Sequence, residues 1–329
     1  MRGLIDIKVA TNKIKYQMQL SHGITIICGG SGTGKTALCN LITRKSNKQG
    51  AYIDFTVTNG YPCRHLTNEM CEAGMLKTIN NSIVFFDEDC DYVFSSDFAE
   101  SLAGTTNYFV IITRHLKGLA KLPIDIEAIC HFEHHNGVNS LVKTYVLNDD
   151  STMFTGANFI PDYIVSEDSK SGYKFFRALY KEKCLPAAGN SKFETAVAGI
   201  QGADENILLV FDGSAIGCEI NNLVLLRLSS LHKIAFFIPR SFEEFLLHSK
   251  IFWGLKELPR MLESPWDYAD FSLYKSFEIF FTSLLQELTA KQGFSYTKTG
   301  PLAKIFTSSE NAHILLSRIT HITFTSSIF

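Results

Sequence analysis

Residues 29–36 of the chain read Gly29-Gly30-Ser31-Gly32-Thr33-Gly34-Lys35-Thr36. They match the phosphate-binding loop pattern G-x-x-x-x-G-K-[ST] at every fixed position. The apolar, β-branched run Ile24 to Cys28 precedes them and predicts a buried strand, and apolar residues from Ala37 to Ile42 recur at the spacing of a helix face. A strand, a glycine-rich loop and a helix in this order direct backbone N–H groups and the positive end of a helix at one anion. The sequence therefore predicts a nucleotide site.

The residues of this loop have different predicted roles in binding the nucleotide. The ammonium group of Lys35 reaches the β- and γ-phosphates of ATP, and the hydroxyl group of Thr36 is a ligand for Mg²⁺. The other loop residues are expected to contact the phosphates, and they are Gly29, Gly30, Ser31, Gly32, Thr33 and Gly34. The predicted cofactors are ATP and Mg²⁺.

Composition restricts the class of protein. A chain of 329 residues is long for one hydrophobic core, so two domains are expected. The net charge of −2 gives no overall field that attracts nucleic acid. The eight cysteines form no C-x-x-C pair, which predicts a reducing compartment, the cytoplasm. No run approaches the roughly 18 apolar residues that span a bilayer, so no membrane partner is expected.

A second motif supports the nucleotide site. The apolar run Ile83 to Phe86 is followed by Asp87 and Glu88, which is the Walker B pattern. We expect this strand to lie beside the strand that precedes the loop, so that Asp87 enters the Mg²⁺ shell. Glu88 is then the expected general base, because the second carboxylate can polarise the attacking water.

The remaining strands of the first half resemble those of ABC-type ATPases. Leu4–Ala10 and Ile14–Leu20 are similar to the antiparallel β-layer of that family. The predicted strand Tyr108–Ile112 ends in polar residues, and the position of His115 resembles the switch histidine that senses the γ-phosphate. Asn136-Gly137, between two apolar runs, predicts a β-hairpin.

The second half alternates predicted strands and helices, which indicates a parallel sheet. The strand Tyr163–Ser166 ends at Glu167, and a later apolar run, Ile207–Phe211, ends at Asp212. The carboxyl ends of parallel strands meet at one edge of a sheet, so these two acids are expected to lie close together.

This order of strands and acids resembles the Toprim domain of topoisomerases, primases and OLD-type nucleases. In that family a Glu follows the first strand and an Asp-x-Asp follows a later one. The resemblance assigns metal-binding and catalytic roles to Glu167 and Asp212, whereas Ser214 stands where the second Asp is expected.

Three downstream acids could complete a metal site, because two carboxylates hold Mg²⁺ weakly. They are Glu219, Glu243 and Glu244. Ser241 precedes Glu244 by three residues, which is the capping-box pattern of a helix start and favours a structural role for Glu244.

The predicted fold class is α/β. A P-loop nucleotide-binding domain with an added antiparallel β-layer covers residues 1–156, and a Toprim-like parallel α/β domain with C-terminal helices covers residues 157–329. This arrangement resembles a reduced OLD-family protein. The resemblance implies an ATPase whose nucleotide state controls a Mg²⁺-dependent nuclease domain, in defence against foreign DNA.

Two alternative functions stay open at this point. In the first, the chain is an ATPase regulator whose Toprim-like half is a degenerate module that binds a partner protein. In the second, it is a small-molecule kinase. The expected partners are accordingly ATP, nucleic acid through the second domain, a partner protein, or a second copy of the chain.

Overall fold

The protein was analysed as a computed structural model, which describes residues 2–30, 32–49, 52–145, 159–167, 169–189, 192–202, 204–214 and 216–325. The chain divides into two compact units, Met1–Tyr145 with Ser264–Ser276 and Val146–Glu263 with Phe277–Phe329. The boundary predicted at residues 156 and 157 lies outside the described residues. The segment Ser264–Ser276 belongs to the first unit, although it lies within the predicted second domain.

The first unit contains a mixed sheet and three short to medium helices among its described residues. Its strands are β1 (Ile5–Ala10), β2 (Lys15–Leu20), β3 (Ile24–Ile27), β4 (Asp54–Val57), β5 (Cys63–Leu66), β6 (Ile83–Phe86), β7 (Tyr108–Ile112), β8 (Ile129–His135) and β9 (Val138–Lys143). Its helices are α1 (Lys35–Ser46), α2 (Asn68–Glu72) and α3 (Ser96–Ser101).

The strand order of this sheet is β4-β1-β2-β9-β8-β3-β7-β6-β5. The expectation that β6 lies beside β3 was wrong, because β7 pairs in parallel with both of them and separates them. The central strands β3, β7 and β6 are parallel, so their carboxyl ends still share one edge of the sheet. The loop after β3 and the acids after β6 therefore lie at the same edge.

The antiparallel strands β1 and β2 continue this sheet and do not form a sheet of their own. Strand β2 pairs in parallel with β9, and β9 pairs with β8, which adjoins β3. The predicted hairpin is confirmed: His135 pairs with Val138, and Asn136 and Gly137 form the turn with φ values of 51° and 78°. Positive φ at both turn residues is the geometry that Asn-Gly favours.

The core of the first unit follows from the burial of its central strands. All residues of β3, β6 and β7 are buried, as expected for parallel strands that are covered on both faces. Phe86 and Phe109 pack with Phe98 of α3 in edge-to-face contacts. On the segment Ser264–Ser276, Phe271 packs against Tyr108 with ring centroids 5.7 Å apart, which explains why this segment belongs to the first unit.

The second unit contains a separate, fully parallel sheet. Its strands are β10 (Tyr163–Ser166), β11 (Cys184–Pro186), β12 (Asn206–Val210) and β13 (Lys233–Phe237), in the order β11-β10-β12-β13. Its helices are α4 (Ser171–Tyr180), α5 (Phe193–Ala198), α6 (Ile220–Ser229), α7 (Phe242–Leu247), α8 (Leu258–Glu263), α9 (Phe277–Lys291) and α10 (Ser309–Leu316). The predicted parallel α/β arrangement is confirmed here.

Helix α9 buries apolar residues along one face. Phe277, Phe280, Phe281 and Leu285 are buried, whereas Leu273 precedes the helix and is 68% exposed. Within the described part of the chain, no helix combines the length and apolar character needed to cross a membrane.

Candidate functional site

The glycine-rich loop connects the end of β3 to the start of α1. Gly34 is the residue before the helix and has the left-handed conformation, with φ of 83°. The hydroxyl group of Tyr16, on β2, donates a hydrogen bond of 2.7 Å to the carbonyl oxygen of Gly34. A Cβ atom at Gly34 would lie 2.7 Å from that hydroxyl oxygen, so the close approach of β2 requires glycine. Ser31 of the loop lies outside the described residues.

Lys35 is buried within this loop, with 5% of its surface exposed. Its ammonium group donates to the carbonyl oxygens of Gly29 and Gly30, at 2.9 and 2.8 Å, and to the hydroxyl oxygen of Thr33, at 3.0 Å. A buried ammonium group is costly unless it is paired, and the loop itself supplies these partners. Thr36, the predicted Mg²⁺ ligand, is exposed on the first turn of α1.

Glu88 connects the loop to the end of β7. One carboxylate oxygen lies 3.3 Å from the Lys35 ammonium group, and the other lies 3.0 Å from the Arg114 guanidinium group. The Walker B pattern predicted that Glu88 lies at this edge of the sheet. It did not predict the contact with Arg114, because the strand that carries Arg114 was not expected to separate β6 from β3.

Asp87 faces the first turns of α1. One of its carboxylate oxygens lies within 4.8 Å of ligand atoms of both Cys39 and His65. Cys39 is on α1 three residues after Thr36, and residues at this spacing are neighbours on a helix surface. The carboxylate of Asp87 is therefore directed at the part of α1 that carries the predicted Mg²⁺ ligand.

Asp87 and His65 are half-buried, whereas Cys39 is buried. Burial raises the pKa of the Cys39 thiol above its usual range, and the charge of Asp87 raises it further. Burial lowers the pKa of His65, while the charge of Asp87 opposes that shift. The Nδ1 atom of His65 is 2.9 Å from the Thr43 hydroxyl oxygen, which orients the ring. The sequence analysis did not single out His65, which lies on β5 in a polar stretch without a motif.

His115 is exposed, and its backbone N–H donates to the hydroxyl oxygen of the buried Thr113, at 3.0 Å. Of the polar residues that follow β7, Arg114 contacts Glu88 through its side chain. The structure thus brings Arg114 to Glu88, and a sensing role for His115 stays a prediction.

A second cluster of functional side chains lies at the carboxyl edge of the parallel sheet in the second unit. Glu167 follows β10 and Asp212 follows β12, and these two strands are direct neighbours. The backbone N–H of Asp212 donates to a carboxylate oxygen of Glu167, at 3.1 Å. The prediction that these two acids lie close together is confirmed.

Ser214, where the Toprim pattern has its second Asp, is fully buried. Its hydroxyl group lies 3.0 Å from a carboxylate oxygen of Asp212 and 3.2 Å from one of Glu278 on α9. A hydroxyl group has one proton, so it donates to one of these carboxylates at a time. Glu278 also forms an ion pair with Lys298. No motif in the sequence marks Glu278, on α9, or Lys298, which follows that helix.

Glu243 is the downstream acid that joins this cluster. It is 1% exposed, and the Tyr296 hydroxyl group donates to one of its carboxylate oxygens at 2.6 Å. Among the residues that the structure describes, the other oxygen has no hydrogen-bond partner. Burial, and then the charge of Glu243, raise the pKa of Tyr296, so the phenol keeps its proton.

The other two candidate acids face elsewhere. The backbone N–H of Glu244 donates to the Ser241 hydroxyl oxygen at 3.0 Å, as the capping-box pattern predicts. The carboxylate of Glu244 pairs with Arg240 and His248 and lines a different pocket, of about 560 Å³. Glu219 accepts a hydrogen bond from the Asn222 side chain at 2.7 Å and does not line the pocket of the acidic cluster.

The acidic cluster surrounds a small pocket of about 70 Å³. Its lining includes four carboxylates and two lysines, namely Glu167, Asp212, Glu243, Glu278, Lys170 and Lys298. Burial raises the pKa of Asp212 well above its usual range, and the neighbouring charge of Glu243 raises it further.

The chemistry of this pocket suits a divalent metal ion in two respects, although the described residues place three ligand atoms within 4.8 Å of one another at Cys39, His65 and Asp87 and not here. The carboxylates outnumber the lysines, so a cation offsets their repulsion, and carboxylate oxygens are the ligands that Mg²⁺ and Mn²⁺ prefer. In addition, the unpartnered oxygen of Glu243 is buried against the pocket, where a polar atom without a partner is costly.

Comparisons of the chain with protein-family models, with curated proteins and with solved structures found no match in any of the three.

Proposed function

We propose that this protein binds and hydrolyses ATP in its first unit and that the nucleotide state controls a Mg²⁺-dependent nuclease site in its second unit. The observation that carries the proposal is the pocket of four carboxylates, in which one buried oxygen of Glu243 has no partner among the described residues. The burial of Lys35 in the loop and its contact with Glu88 support the ATPase half of the proposal.

In the ATPase half, the loop exchanges internal contacts for contacts to phosphate. The ammonium group of Lys35 leaves the carbonyl oxygens of Gly29 and Gly30 and binds the β- and γ-phosphates, which carry a full negative charge. Glu88 then loses its partner Lys35 and is released to accept a proton from the attacking water. Thr36 and Asp87 would hold Mg²⁺, which offsets the charge of the phosphates when bound.

In the nuclease half, the carboxyl edge of the parallel sheet presents the acids that hold a metal ion. Glu167, Asp212 and Glu243 would be its ligands, and a bound Mg²⁺ ion would stabilise charge on a phosphodiester and activate water. Lys170 and Lys298 line the same pocket, and their positive charges favour the approach of a phosphate backbone. Tyr296 positions the carboxylate of Glu243 through its hydroxyl group.

The test is cleavage of a panel of single- and double-stranded DNA and RNA by the full chain, with Mg²⁺ or Mn²⁺ and with or without ATP. Asp212→Asn should reduce metal-dependent cleavage at least about 100-fold, because it removes a charged ligand. Asp204→Asn is the matched control, since Asp204 is an exposed acid that pairs with Lys233 on the surface. The control should cleave like the wild type.

The proposed nuclease function is contradicted if no substrate is cleaved under any of these conditions. That result would favour a degenerate module that binds a partner protein. Cleavage that survives in Asp212→Asn would likewise contradict the assignment of this pocket as the active site.

A further inference from the structure

We propose that Glu278, on α9, is a metal-binding carboxylate that takes the place of the acid missing at Ser214. The inference rests on the proposed metal-dependent function of the second unit and adds a specific residue to it. It explains how the site keeps enough carboxylates although the strand-end motif has lost one.

A carboxylate at position 214 would lie beside Asp212. Position 214 is two residues after Asp212, and its side chain is fully buried beside the carboxylate of Asp212, although Ser214 itself does not line the acidic pocket. The Ser214 hydroxyl group lies 3.0 Å from Asp212 and 3.2 Å from Glu278, so it separates these two carboxylates by one small group. Glu278 thus delivers a carboxylate from another element to the neighbourhood of position 214.

Buried aromatic residues of α9 hold Glu278 in place. It is the second residue of α9, and Phe277 and Phe281 on either side of it are buried. A helix anchored by buried aromatic residues fixes the direction of its polar side chains, which a metal ligand requires. The side chain of Glu278 is 22% exposed and lines the pocket together with Asp212 and Glu243.

The charges of the carboxylates around Glu278 are only partly offset by neighbouring cations. In this structure the cation that faces Glu278 is the ammonium group of Lys298. Ser214 has one proton to share between two carboxylates, so it cannot offset both charges. Glu243 adds a buried oxygen with no partner among the described residues. The four carboxylates of the pocket outnumber its two lysines, and a divalent ion supplies the positive charge that the lysines leave wanting.

The experiment measures Mn²⁺ binding by calorimetry to the full chain without nucleotide, so that activity is not the readout. The wild type should bind Mn²⁺, and Asp212→Asn should remove that binding. Glu278→Gln should weaken binding about tenfold or more, because the loss of even an outer partner of a metal site costs about 10- to 100-fold. The control is Glu287→Gln, which removes an exposed acid from the same helix and should bind like the wild type.

Two double variants separate metal binding from charge. Ser214→Asp combined with Glu278→Gln moves the carboxylate back to the strand end and should recover most of the affinity. Glu278→Gln combined with Lys298→Gln removes the ion pair without changing the net charge and should stay as weak as Glu278→Gln alone. The second variant decides the question if the first does not fold.

The outcomes distinguish this inference from the proposed function. Wild-type affinity in Glu278→Gln, with binding lost in Asp212→Asn, overturns the role of Glu278 and leaves the metal-dependent function in place. Recovered binding in Glu278→Gln combined with Lys298→Gln would show that only charge matters, and it overturns the replacement of the missing acid. The replacement is also overturned if Glu278→Gln weakens binding and a folded Ser214→Asp, Glu278→Gln variant does not recover it. The metal-dependent function itself is overturned if the wild type does not bind Mn²⁺, or if its binding does not depend on Asp212.

Discussion

Glu88 is the residue through which nucleotide binding and hydrolysis are connected in the first unit. Its two carboxylate oxygens contact cations from different elements, Lys35 at the loop and Arg114 at the end of β7. A general base must lie within hydrogen-bond reach of the water whose proton it accepts. The proposed exchange of Lys35 from Glu88 to phosphate therefore makes the base available only when the triphosphate is in place.

Glu88→Gln separates ATP binding from hydrolysis. The amide keeps the shape of the side chain but cannot act as the base, so turnover should fall about 10²- to 10⁴-fold. ATP affinity should not weaken, because Lys35 loses a competing partner. Single-turnover hydrolysis and calorimetry measure the two quantities. Glu100→Gln, an exposed acid on α3, is the matched control, and wild-type turnover in Glu88→Gln would contradict the assignment of the base.

Single residues were predictable where chemistry requires a fixed spacing. The proximity of Asp212 and Glu167 could be predicted because each follows an apolar run, and neighbouring parallel strands bring such residues together. Glu278 could not be assigned in this way. An acid in the first turn of a helix normally indicates a favourable interaction with the helix dipole, and only the tertiary structure directs it at Ser214.

The connection from β3 through the loop to α1 depends on the approach of β2. Tyr16 is 1% exposed, burial raises its pKa to about 12, and its hydroxyl group donates to the backbone at Gly34. The second strand of the chain's first hairpin thus supports the backbone of the loop, which gives β2 a role in forming the site.

A pair of glycine substitutions tests this contact. Gly32 and Gly34 have nearly equal φ values, 84° and 83°, but only the Cβ atom at Gly34 would meet Tyr16. Alanine should destabilise the first unit by about 1–2 kcal/mol at either position, and overpacking should add about 1–3 kcal/mol at Gly34. Urea titration, with mass spectrometry of peptides from the first unit as the readout, measures the difference in the free energy of unfolding between the two variants. Equal effects at the two positions would contradict the close approach of Tyr16.

The strands were more predictable than their order. Periodicity and β-branched composition identified β3, β6, β7 and β12, because these properties belong to each segment alone. The position of β7 between β3 and β6 depends on which edges pair, and periodicity carries no information about partners. For the same reason the sequence could not show that β1 and β2 continue the main sheet.

The division of the chain into units was also beyond the reach of sequence patterns. The segment Ser264–Ser276 returns to the first unit, where the backbone N–H of Gly3 donates to the carbonyl oxygen of Trp266 at 2.7 Å. Arg2 also forms an ion pair with Asp270, at 3.8 Å. The first unit is therefore built from two separate stretches of chain, and no composition change marks the second stretch.

ATP binding by the full chain, measured by calorimetry in the presence of Mg²⁺, tests the central claim most directly. Hydrogen bonds to charged groups are worth about 1.5–3 kcal/mol, so Lys35→Ala should weaken ATP binding roughly 10- to 150-fold. The control is Lys45→Ala on the last turn of the same helix, where the ammonium group binds the carbonyl oxygen of Ile53. We expect the wild type to bind ATP with micromolar or tighter affinity, Lys35→Ala to bind ATP more weakly, and Lys45→Ala to bind ATP like the wild type. A wild type that does not bind ATP, or equal affinity in wild type and Lys35→Ala, would contradict the central claim.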